Sequence, residues 1–169
     1  MKGKKRLFVS AAVGLILLSV LAAPVAAGTT WTEFEGTSTP VFCGTCSPGR
    51  VWVSEDGVLH MRGMQELYYN NYGDPRITGY DLVTVNVNLQ LPAAYGPMWC
   101  TARLENENGY WEGSAVGYRT EQGYSYIQEV LHGHGAYEGL QARLDLVREN
   151  PAMDAPFVVH GVIMDPGGD

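Results

Sequence analysis

The sequence predicts an all-β fold, an antiparallel eight- to nine-stranded up-and-down barrel preceded by a signal peptide. Three observations carry that reading. Stretches of alternating apolar and polar residues recur through 28–169. Clusters rich in Gly, Asn, Asp and Pro separate them at the short spacing of antiparallel turns. No segment carries a long apolar stripe at helical spacing with caps at its ends.

Residues 1–27 stand apart from this pattern. Lys2, Lys4, Lys5 and Arg6 precede an uncharged apolar run from Leu7 to Ala23, Pro24 interrupts it, and Val25-Ala26-Ala27 supplies small residues for cleavage after Ala27. Charge, apolar core and small residues in that order describe a secretory signal peptide. The alternative is an uncleaved anchor, since 7–27 holds 21 residues, enough to cross a bilayer. The expected folded unit is a single domain, 28–169, secreted or extracytoplasmic. It contains no Lys and sets seven Arg against 18 carboxylates, a net charge of −11. Such a surface repels nucleic acid and anionic lipid, so nucleic-acid binding is not expected, and the membrane is met only if the leader stays attached.

The elements follow in order. Thr29–Gly36 reads as the first strand, followed by a loop with Pro40, Cys43, Cys46 and Pro48-Gly49. Arg50–Glu55 is the second strand, and Asp56-Gly57 is a hairpin pair. Val58–Asn70 is the third, with a bulge expected at Gly63. Leu82–Leu91 alternates strictly: Val83, Val85, Val87, Leu89 and Leu91 share one face, while Thr84, Asn86, Asn88 and Gln90 form a polar row suited to solvent. Met98–Asn106 puts Met98, Cys100, Ala102 and Leu104 together, and Asn108-Gly109 is the best short hairpin signal in the chain. Tyr110–Arg119, Tyr124–His132, Leu140–Arg148 and Phe157–Met164 complete the set. Between Tyr137 and Glu149, Leu140, Leu144 and Val147 also fit a helix. Gly139 and the neighbouring strands favour alternation.

The segment Gly133-His134-Gly135-Ala136-Tyr137-Glu138-Gly139-Leu140 resembles the Gly-rich corner near the end of allene oxide cyclase-like and dirigent-like barrels. Uncharacterised secreted bacterial proteins with similar barrels share it, and Trp111-Glu112-Gly113-Ser114 fits the aromatic-Gly strand that precedes the corner. The similarity is concentrated in 109–143. It implies a calycin-like barrel in which Gly133, Gly135 and Gly139 supply positive φ or close backbone approach. No catalytic position of either family maps onto this chain residue by residue, and a shared fold does not transfer an activity.

The candidate chemistry is sparse. Cys43 and Cys46 have CxxC spacing but no following helix, so a structural disulfide is expected, with Cys100 as the alternative partner of either. His132 and His134, two apart on a strand, are a weak metal half-site, and neither a metal nor another cofactor is expected. Trp99, Trp111, Tyr118 and Tyr126 are the candidate ligand-binding aromatics, set against their ordinary role as strand residues. No nucleophile elbow, zinc-protease motif, P-loop or dinucleotide fingerprint is present. The expected function is a secreted barrel, not an enzyme, that binds a small apolar molecule or serves a structural role. The alternatives are a cyclase or isomerase of the allene oxide cyclase-like type acting in an apolar cavity, and a carbohydrate-binding β-sandwich module.

Overall fold

The computed structural model describes residues 28–167; the leader, its cleavage position and the 7–27 anchor alternative lie outside the described residues. Nine strands form one antiparallel sheet: β1 (Thr30–Val41), β2 (Arg50–Val53), β3 (Val58–Asn71), β4 (Gly79–Gln90), β5 (Gly96–Asn106), β6 (Gly109–Arg119), β7 (Ser125–Gly135), β8 (Gln141–Arg148) and β9 (Phe157–Asp165). From β3 to β9 each strand pairs with the next in sequence, and β1 pairs with both β9 and β3. The sheet therefore nearly closes into a ring, an all-β, barrel-like architecture.

Closure runs along one edge of β3. Thr37–Val41 of β1 pair with Leu67–Asn71, and Arg50–Val53 of β2 pair with Leu59–Arg62. The loop 42–49 lies between, where the Ser47 carbonyl accepts from the Gln65 N–H (2.9 Å) and the Ser47 N–H donates to Gln65 Oε1 (3.0 Å). Cys43 and Cys46 are joined by a disulfide within this loop. The first strand is longer than its sequence pattern indicates, because Thr37 and Ser38 pair with both β9 and β3 and Thr39–Val41 continue against β3.

The register of β3 against β4 shifts between Met61 and Met64, at the expected bulge. Gly63 has φ of 66°, a region that L-residues with a side chain rarely adopt, and its N–H is taken by Asn86 Oδ1 at 3.1 Å. The outward row of β4 thus does more than meet solvent: Asn88 Oδ1 accepts from Arg62 Nη2 (2.6 Å) and lies 2.7 Å from His60 Nδ1. Residues 141–148 are strand, not helix, paired on both sides. At the Gly-rich corner, Gly135 and Gly139 have φ of 70° and 85°, and a Cβ on Gly133 would lie 2.2 Å from the Tyr137 carbonyl oxygen.

That corner closes one end of the ring. Tyr137 stacks on Trp111 with centroids 5.4 Å apart, and its hydroxyl donates to Asn106 Oδ1 (2.8 Å). The link between β3 and β4 folds over the same end. Ile77 and Tyr72 are buried there, Trp111 Nε1 donates to the Arg76 carbonyl (2.7 Å), and Asn106 Nδ2 donates to the Pro75, Arg76 and Thr78 carbonyls (3.2 Å each). Leu104, Leu131, Ala142 and Ile163 fill the space behind them.

Two tryptophans test this arrangement. Trp111→Ala should cost about 3–5 kcal/mol in urea unfolding, through a large cavity and an orphaned carbonyl. Trp99→Ala, on the outer face over the Arg62 guanidinium, should cost no more than about 1 kcal/mol.

Candidate functional site

The far end of the ring is filled differently. Alternation sends Val83, Val85, Val87 and Leu89 of β4 inward, facing Met64 of β3, Met98 of β5, Ala115 of β6 and Ile127 of β7. The small Ala115 and the unbranched methionines do not fill this width, and a cavity of about 260 Å³ remains. Ala94 and Met153, from the β4–β5 and β8–β9 loops, stand at its rim; Phe157 also lines it, packed on Tyr68.

Polar groups mark the floor. Asp81 and Glu129 are both buried and both line the cavity. Asp81 Oδ2 accepts from Asn70 Nδ2 (3.3 Å), while Asp81 Oδ1 and the Tyr72 hydroxyl have no partner. Burial pushes the Asp81 carboxyl up to about 6, against the hydrogen bond from Asn70. Glu129 is raised well above the ordinary carboxyl range by burial and by the charge of Asp81. The Tyr72 phenol is likewise raised, by burial and by the Glu129 and Asp81 charges. A carboxyl held protonated in apolar surroundings is a hydrogen-bond donor, so this floor can grip a carbonyl, ether or hydroxyl oxygen.

On the β3 strand beside Asp81, the Tyr68 hydroxyl donates to Glu66 Oε2 at 2.5 Å. Cys100 is the free cysteine among the described residues, and it lines the cavity. Burial, reinforced by the Glu129, Asp81 and Glu66 charges, pushes its thiol up to about 12, so it stays an unreactive thiol at neutral pH. Near the rim, Arg148 lies over the Phe157 ring (4.6 Å) and its Nη1 donates to the Met153 carbonyl (3.0 Å).

The four candidate aromatics are not gathered at this cavity. Trp111 is 0% exposed but sits in the packed end, while Trp99 (36%), Tyr118 (45%) and Tyr126 (42%) are on the outer face. The inward partners on their strands, Cys100, Ala115 and Ile127, line the cavity in their place. His132 is exposed; His134 stacks on Tyr110 (4.7 Å) between Glu112 and Glu138, 4.0 and 3.8 Å away. Among the described residues, no three His, Cys, Asp or Glu are grouped to hold a metal ion.

Sequence reasoning passed over Glu66, Asp81, Arg119, Glu129 and Arg148, the charged residues of the cavity wall. The available signal was phase. Asp81 is in step with Val83 and Val85, Glu129 with Ile127 and Leu131, and Arg148 with Leu144 and Leu146. No family model, curated protein or solved structure matches the chain.

The raised carboxyls fix a pH dependence. The folded state binds protons that the unfolded chain releases near pH 4, so stability is full below that pH and is lost as pH rises through the folded-state values. For Asp81 alone the loss between pH 4 and 7 is on the order of 2–3 kcal/mol. Asp81→Asn and Glu129→Gln should therefore raise the thermal midpoint at pH 8 and flatten its decline with pH. Scanning calorimetry from pH 4 to 8 on both variants checks this, and a decline as steep as in the parent would contradict it.

Proposed function

We propose that the chain is a secreted, calycin-like barrel that holds a small apolar molecule inside the ring and does no chemistry on it. The observation that carries the reading is the cavity of about 260 Å³, walled by Val, Leu, Met and Ala side chains, with a few polar groups at its floor. Binding sites for small molecules have this composition, largely apolar with a handful of placed polar groups. An empty apolar space in a barrel costs packing energy, which a bound apolar molecule recovers. The cationic start, apolar run and small-residue site in 1–27 support export. Sequential pairing from β2 to β9 supports an up-and-down arrangement, the one that the resemblance to allene oxide cyclase-like and dirigent-like proteins implies.

One observation favours a second reading, a cyclase or isomerase of the allene oxide cyclase-like type. Glu129 is a buried acid raised well above the ordinary carboxyl range beside an apolar cavity, and such an acid can polarise a ligand oxygen.

Titration with the neutral lipophilic dye N-phenyl-1-naphthylamine tests the first reading. A saturable, blue-shifted emission at one dye per chain is expected, and it should fall at least about ten-fold in affinity in Ala115→Phe, where the new ring occupies the cavity. Absence of saturable binding, or equal binding by a folded Ala115→Phe, would overturn it.

A further inference from the structure

Three neighbouring strands place Arg119, Ser125 and Arg148 in one row. Arg119 of β6 is the register partner of Ser125 of β7, and Ser125 is the partner of Arg148 of β8. Directly opposed residues point to the same face of a sheet with their Cβ atoms close together. Here that face is the interior: Arg119 and Arg148 line the cavity, Ser125 is 0% exposed and Arg148 5%.

Each of the three has a buried polar atom without a partner: Arg119 Nη1, Ser125 Oγ and Arg148 Nε. Neither arginine forms an ion pair among the described residues, although the chain is strongly acidic. Backbone carbonyls hold them instead, with Arg119 Nη2 donating to Pro151 (3.5 Å) and Arg148 Nη1 to Met153 (3.0 Å). Burial and the Arg148 charge together hold the Arg119 guanidinium below its usual value. Two like charges side by side, partly desolvated and short of acceptors, are unfavourable unless an anion joins them.

We infer that Arg119, Ser125 and Arg148 form an oxyanion-binding site near the rim of the cavity, which takes the anionic head of an amphiphile whose apolar part fills the interior. The inference rests on the proposal that the cavity binds an apolar molecule, and it adds the class of that molecule. Guanidinium donors in a fixed fork suit a carboxylate, sulfate or phosphate monoester, and the serine hydroxyl adds a third donor between them. The buried Glu129 carboxyl at the floor, raised well above the ordinary range, is compatible with a neutral far end on the same molecule.

Isothermal titration with octanoate, octyl sulfate, octyl phosphate and 1-octanol, with inorganic phosphate alongside, tests it. At least one of the three anions should bind about ten-fold or more tightly than 1-octanol, the scale of one charge-assisted hydrogen bond. Arg119→Met and Arg148→Met should each cut the ratio of anion to 1-octanol affinity, measured on the same variant, to less than about two-fold. If a Met variant fails to fold, Ser125→Ala and the ligand series on the parent protein still decide. Equal binding of 1-octanol and all three anions would overturn the anion site and leave the cavity reading standing. Failure of every octyl compound to bind would overturn both. Inorganic phosphate binding as tightly as octyl phosphate would overturn the amphiphile and leave an ion site only.

Discussion

The pairing of β1 with both β9 and β3 is the constraint on which the remaining structure depends. An open sheet of nine strands would expose two edges and give every inward side chain a route to water. Here the edge of β3 is covered in three successive pieces: the end of β1, the disulfide-bearing loop 42–49, and the short β2. The Gly63 bulge lies on β3 opposite this seam and turns the strand where coverage passes from one piece to the next. Once the ring is drawn together, alternation along each strand sorts side chains between an interior and an exterior.

The interior then divides along its length. At one end, Trp111, Tyr137, Ile77 and Tyr72 fill the section and tie the links between strands to the wall. At the other, Ala115 and a set of methionines and valines leave it open. The polar groups that remain inside are arranged by depth. Carboxyls raised by burial lie at the floor, and two guanidinium groups with spare donors lie toward the rim. Burying either set is costly, and neither is needed to close the ring. Their placement is the observation on which the proposed ligand rests.

The strands were legible in the sequence because closure makes alternation strict. Leu82–Leu91 and Met98–Leu104 carry their inward faces as uninterrupted apolar sets, and Gly63 announced its bulge in the middle of a long strand. The extension of β1 beyond Gly36 was not legible, since it depends on a partner strand some 30 residues away. The site was concealed by its own chemistry. A single Asp, Glu or Arg among apolar residues looks like a strand end or a surface position, and only the closed ring turns those phases into one cavity. Aromatic residues drew attention for the opposite reason. Tyr118 and Tyr126 are large and suited to strands, yet their phase sends them outward.

Closing the sheet on itself creates an apolar interior that raises the Asp81 and Glu129 carboxyls above the ordinary range, Glu129 the further of the two because it also meets the Asp81 charge. Carbon-13 NMR of the side-chain carboxyls, followed from pH 3 to 9 in the ligand-free protein, measures this directly. The account predicts a midpoint near 6 for Asp81 and one well above the ordinary carboxyl range for Glu129. Titration of both groups near pH 4, the behaviour of hydrated carboxyls, would contradict it.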